Sequence, residues 1–142
     1  MAEHPGMRAL TFDHRQGEIR GFSDAVAAEF PALNILINNA GMQTPERLRD
    51  GQQDLGNMEA MVSTNLLGPM HLTATLLPLL ERQSQAMVIN VTSGLAFLPL
   101  AGVPTYCATK AAMHSYTQSL RYQLRTSDVK VTELIPPTFR PT

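Results

Sequence analysis

The chain has 142 residues, 44% of them hydrophobic and 16% charged, with 11 basic side chains against 12 acidic ones and a formal net charge of -1. That length can bury about two-thirds of its unfolded surface around one core but cannot support a second full domain, so a single soluble globular domain over residues 1–142 is expected. The near-neutral charge, with no cluster of Lys and Arg, excludes a nucleic-acid binder, and the richest apolar stretch, residues 66–80, is broken by Gly68, Pro69, His71 and Pro78 and is too short to span a bilayer.

In chain order, the opening MAEHPGMRAL has no basic segment followed by an apolar run, so neither a signal nor a transit peptide is expected, and the predicted location is cytoplasmic. Residues 7–12 read as a first strand. Ile19, Phe22, Val26 and Phe30 then recur at spacings of three and four, which predicts a helix ending before Pro31, with Asp13 and Gln16 as a cap for its start. LNILIN at 33–38 is a second strand. Thr44, Pro45 and Glu46 read as the start of a helix that Asp50 and Gly51 soon interrupt. A longer helix follows over about 55–82, with Met58, Met61, Val62, Leu66, Leu72 and Leu76 as its buried side and a kink at Pro69.

The third strand is AMVINVT at 86–92. Behind Pro104 a helix runs over about 105–125, with small residues at Ala108, Ala111, Ala112, Ser115 and Ser119, and the fourth strand is KVTELI at 130–135. Alternation of short Val/Ile/Leu runs with helical stretches predicts an α/β fold, with a parallel sheet of about four strands. Right-handed crossovers put the helices mainly on one face, so the other face is expected to be a bare apolar patch prone to self-association. Cys107, the only cysteine, excludes an intramolecular disulfide and fits a reducing compartment; it reads as a small buried residue. His4, His14, His71 and His114 show no metal spacing and read as surface or packing residues, so no metal is expected.

Chemistry concentrates around one helix start. Tyr106 and Lys110 stand four residues apart and therefore on one side of that helix, in a chain with only two lysines. A phenol titrates near pH 10 and is a poor acid or base at neutral pH, but a cation beside it favours the phenolate. Ser93 falls at the carboxyl end of the third strand, the edge where open α/β sheets bind ligands. Asn38-Asn39-Ala40-Gly41 occupies the same edge at the end of the second strand, and Asn65 puts an amide inside an apolar helix.

These residues resemble the short-chain dehydrogenases/reductases: NNAG at 38–41, Asn65 in TNLLGP, Ser93 in NVTSG and Tyr-x-x-x-Lys at 106–110 match in order and spacing. The run VINVTSGLAFLPLAGVPTYCATKAA looks closest to the DltE-like short-chain oxidoreductases. The resemblance implies a partial Rossmann-type doubly wound fold and hydride transfer between NAD or NADP and a small-molecule carbonyl or alcohol. It implies that Tyr106 is the general acid or base, that Ser93 orients the carbonyl, and that Lys110 assists Tyr106 while binding the nicotinamide ribose. Asn65 would hold a water of the proton relay. Asp13 would contact the adenine, although a helix cap is the alternative for it. Asn39, Ala40 and Gly41 would line the cofactor cleft, and Pro136 would lie near the nicotinamide. Association into a homo-oligomer through the helices at about 55–82 and 105–125 is also implied.

Relative to the family pattern, the chain is expected to be truncated at both ends. The Gly-rich strand, turn and helix that cradle the pyrophosphate are absent, as is the segment that covers the substrate. Gly17, Gly21 and Ser23 mimic the glycine spacing, but the third glycine is missing and there is too little chain before NNAG, so they are not read as a phosphate loop. After Pro136 comes Pro137 in place of glycine, and Pro141 stands where the family has threonine. The alternative is a non-catalytic remnant acting as a dimerising or interaction module.

Overall fold

The computed structural model describes residues 16–51 and 54–137. The predicted strand at 7–12, Asp13 and Pro141 lie outside the described residues. The first described helix, α1 (Gln16–Glu29), ends at Phe30, whose N–H still reaches the Val26 carbonyl at 2.8 Å before Pro31 stops the helix. Gly17, Gly21 and Ser23 all fall inside α1, so they form no loop.

Three parallel strands follow: β1 (Ile35–Asn38), β2 (Met87–Val91) and β3 (Lys130–Leu134), in the order β1-β2-β3, with Asn38 opposite Asn90 and Asn90 opposite Glu133. Between β1 and β2 run α2 (Leu55–Val62), a π turn at Ser63–Leu67 and α3 (Gly68–Leu80); α4 (Pro104–Gln123) connects β2 to β3. The fold is α/β, with α3 and α4 against one face of the sheet and α1 against α3. Among the described residues no helix is long and apolar enough to cross a membrane.

Alternation along each strand separates the two faces. Val88 and Val131 point into a core with Leu80, Ala86, Leu120 and Val129, and Leu36 packs at its edge. The same face carries a buried polar chain. Asn38 Nδ2 donates to Asn90 Oδ1 at 2.8 Å and to Thr73 Oγ1 at 3.0 Å, and Asn90 Nδ2 donates to Thr117 Oγ1 at 2.9 Å. The two threonine hydroxyls end the chain on helix carbonyls, those of Pro69 at 2.7 Å and Met113 at 2.6 Å. Every link is satisfied, as a polar network in a core must be. The opposite face leaves Ile35, Ile37 and Leu134 exposed.

Two expectations need correction. The helix over 55–82 is interrupted by the π turn, with the Gly68 N–H bonded to the Ser63 carbonyl five residues back, immediately before Pro69. Along this stretch Met61, Asn65, Thr73 and Leu76 are buried, whereas Val62, expected on the buried side, is exposed. No α-helix starts at Thr44; a short 3₁₀ turn at Leu48–Asp50 ends on Gly51 with φ +65°. Glu46 has a different partner, described below.

Candidate active site

The site lies where the chain leaves the carboxyl ends of β1 and β2 and meets the start of α4. Pro104 opens α4 at a position where its missing N–H costs nothing, and its Val103 N-cap supplies no side-chain bond. The cap comes from elsewhere in the chain. Glu46 Oε1 accepts from the Thr105 N–H at 2.9 Å, Glu46 Oε2 accepts from Thr105 Oγ1 at 2.7 Å, and the Glu46 N–H donates to the Gly102 carbonyl at 2.8 Å. A carboxylate at the positive end of a helix is favourable, and this one fastens the segment after NNAG to the turn before Tyr106.

Asn65 makes a second fastening. Its Oδ1 accepts from the Met42 N–H at 2.8 Å, and its Nδ2 donates to the Met42 carbonyl at 2.9 Å and to Thr109 Oγ1 at 3.1 Å. Thr109 in turn donates to the Tyr106 carbonyl at 2.8 Å. One amide thus ties the NNAG loop to the helix turn bearing Tyr106. Its burial is complete, and all three of its polar contacts are made inside the protein.

Lys110 is only 5% exposed, and its Nζ donates to the Val91 carbonyl at the end of β2, 2.9 Å away. Desolvation lowers its pKa from the ordinary lysine value. The same nitrogen lies 5.8 Å from the centroid of the Tyr106 ring. Tyr106 and Lys110 share the wall of an open cavity of about 240 Å³ with Asn39, Gly41 and Pro136, beside Val91 and Thr92. A Cβ built on Gly41 would sit 3.6 Å from Lys110 Nζ, so a larger side chain there would fill the space in front of the ammonium.

Five predicted residues, Asn39, Gly41, Tyr106, Lys110 and Pro136, are therefore brought to one cavity, with Asn65 behind its wall. Ala40 instead lines a separate cavity of about 220 Å³ with Ile37, Ser63, Thr64 and Pro69. Ser93 is half-buried one residue beyond Thr92 and does not line the Tyr106 cavity; its Oγ accepts from the Leu95 N–H at 3.2 Å. Cys107 is buried, and its Sγ accepts from the Leu100 N–H at 3.3 Å. Sequence reading missed Glu46, whose partner is 59 residues away, and Thr109, for which the spacing of three from Tyr106 was the available signal.

The short chain dehydrogenase family matches residues 2–142. The chain belongs to that family. Over 109 residues it is 47% identical to the uncharacterized oxidoreductase DltE of Bacillus subtilis, covering 77% of this chain and 43% of that protein. Among solved structures, the closed form of a serine dehydrogenase complexed with NADP+ superposes with a TM-score of 0.80 at 29% identity, over 90% of this chain and 52% of that one. The ligand-free aldohexose dehydrogenase of Thermoplasma acidophilum, at 18% identity, has the same fold, with a TM-score of 0.82 over 96% of this chain and 54% of its own. The chain spans less than half the length of DltE and about half that of the two solved structures.

Proposed function

We propose that the chain carries the proton-transfer half of an NAD(P)-dependent oxidoreductase acting on a small carbonyl or alcohol, with Tyr106 as general acid or base. The observation that carries this reading is a buried ammonium, Lys110, in the same cavity wall as the Tyr106 phenol. In reduction Tyr106 Oη gives its proton to the carbonyl oxygen, and in oxidation it takes the proton of the alcohol. The Val91 carbonyl takes one of the three N–H groups of Lys110, and the others serve ribose hydroxyls. Ser93 Oγ accepts locally from Leu95, which leaves its own O–H to donate to the substrate oxygen.

Asn65 acts through its backbone as well as its amide. A carbonyl oxygen has two lone pairs and Pro69, four residues on, gives it no N–H, so the Asn65 carbonyl has capacity to accept from a water that resupplies the proton. The nicotinamide half of NAD or NADP fits the cavity's donor set of ammonium, phenol and Asn39 amide, and when bound it supplies or accepts the hydride. Ala40 would stand at the far side of the NNAG loop, and Pro136 at the nicotinamide end. The phosphate half has no glycine cradle among the described residues.

Calorimetric titration with NADH and NADPH tests the reading. Saturable binding near ~1 μM to 1 mM, the usual range for such ligands, that is lost in Lys110→Ala but kept in Tyr106→Phe is expected. Absence of binding by folded protein would instead favour a non-catalytic interaction module, a reading that the exposure of Ile35, Ile37 and Leu134 among the described residues supports.

A further inference from the structure

His114 reads from the sequence as a surface or packing residue, but its surroundings give it more to do. It lies on the same stripe of α4 as Tyr106 and Lys110, one turn beyond the lysine. Its Nδ1 stands 2.9 Å and 3.0 Å from the two carboxylate oxygens of Glu133 on β3. The Glu133 side chain is 9% exposed, so that carboxylate depends on protein donors. Its second donor is Thr92, whose Oγ1 reaches Glu133 Oε1 at 2.7 Å while its N–H bonds the Leu134 carbonyl at 2.9 Å. Thr92 is the residue before Ser93.

The same imidazole meets Phe97 edge to face, with ring centroids 4.5 Å apart and planes at 71°. Phe97 closes the short turn after Ser93, its N–H bonding the Gly94 carbonyl at 3.1 Å. The Ser93 carbonyl accepts from the Ala96 N–H at 3.0 Å, but among the described residues its hydroxyl has only the local bond from Leu95, so that hydroxyl is aimed by whatever holds Thr92 on one flank and Phe97 on the other. Both anchors converge on one ring.

We propose that His114 is a positioning residue for Ser93, holding the turn that carries the Ser93 hydroxyl from both of its ends. Its value for turnover rests on the reading of Ser93 as the group that holds the substrate oxygen. The geometry also accounts for a buried Glu133 on β3: the carboxylate is the link through which an α4 side chain reaches the end of β2.

Amide hydrogen exchange on the whole 142-residue chain tests this without any ligand. His114→Ala is expected to speed exchange at residues 95–98 by about tenfold, the scale of one lost charge-assisted bond, and to leave the amides of β2 unchanged. His114→Asn keeps a donor near the place of Nδ1 and should return most of that protection. No change at 95–98, or an equal rise throughout the chain, would overturn the proposal. Should His114→Ala fail to fold, Thr92→Val breaks the same chain of contacts from its other end and is read in the same way. With NADPH and 4-nitrobenzaldehyde as probes, kcat should fall by about tenfold in His114→Ala while the KM for NADPH stays the same. A change confined to that KM would count against the proposal. If the wild type does not turn over at all, the oxidoreductase reading fails, and the exchange experiment alone decides the role of His114.

Discussion

The two faces of the sheet are built from the same three strands, yet they are different materials. On the face toward α3 and α4, Val88 and Val131 are buried and Asn38 and Asn90 exchange hydrogen bonds with both helices. On the other face, Ile35 is 45% exposed, Ile37 57% and Leu134 53%. One residue of register separates them. The difference shows that apolar sequence alone does not make a core: the isoleucines of β1 are as hydrophobic as Val88 but have no layer packed over them among the described residues. It also shows where the candidate site draws its rigidity. Asn65, Lys110 and His114 all work from helices on the covered side, reaching over the carboxyl ends of β1 and β2.

The largest effect should come from the covered face. Leu80 is fully buried in the cluster under α4, and Leu80→Ala should cost about 2–5 kcal/mol in urea denaturation, the range for a buried leucine that leaves a cavity. Next comes Asn90→Ala, which removes the acceptor of Asn38 and the donor to Thr117 in one step. A buried orphan costs about 1–3 kcal/mol, so a loss of about 2 kcal/mol is expected. A loss below about 0.5 kcal/mol would mean that the polar chain is not part of what holds this face together.

The sequence disclosed this contrast unevenly. Strands at 33–38, 86–92 and 130–135 and helices before Pro31 and after Pro104 were legible because period and proline are local signals, and each differs from the observed element by only one or two residues at an end. The pair Tyr106 and Lys110 was legible for the same reason, being one helical turn apart. Glu46 was not: its helix-start signature was real chemistry, but its carboxylate serves a helix 59 residues away, and only the topology brings the two together. The clamp of Asn65 on Met42 and the link from Thr92 through Glu133 to His114 are of the same kind. The π turn at Ser63–Leu67 also escaped the sequence reading, which had only Pro69 to mark an irregularity.

Lys110 stands where the covered face meets the cavity, and its burial makes a pH prediction with a definite sign. Desolvation holds its folded pKa below 10.5, the value it regains on unfolding. Between those two values the unfolded chain binds more protons than the folded one, so the contribution of this site to stability rises with pH across that window. Below the window the fold bears the whole cost of burying the charge. Tyr116 acts oppositely: burial raises its phenol above 10.0, against a smaller lowering by its bond to Thr73, and its contribution is complete below 10.0 and lost as pH climbs through the folded value. Comparing wild type with Lys110→Met cancels Tyr116, which both proteins share. Denaturation midpoints should show the wild type gaining on the variant as pH approaches 10.5 from below. A difference independent of pH would mean that the ammonium is solvated, and with it the Tyr106 wall of the cavity.

The smallest effect should come from the bare face. Ile37 on β1 is more than half exposed, and Ile37→Lys should change stability by no more than about 0.5 kcal/mol, as exposed positions do. Fluorescence of a dye that binds exposed apolar surface should fall in the variant, because the patch formed with Ile35 is interrupted by a charge. The pair of readings is more informative than either one. A stability loss above about 1 kcal/mol would require Ile37 to lose packing that the described residues do not provide, since burying one such side chain is worth about 1.5–3 kcal/mol. If that loss also grew with protein concentration, the packing would come from a second copy of the chain, and the two faces would differ in which polypeptide covers them rather than in whether they are covered.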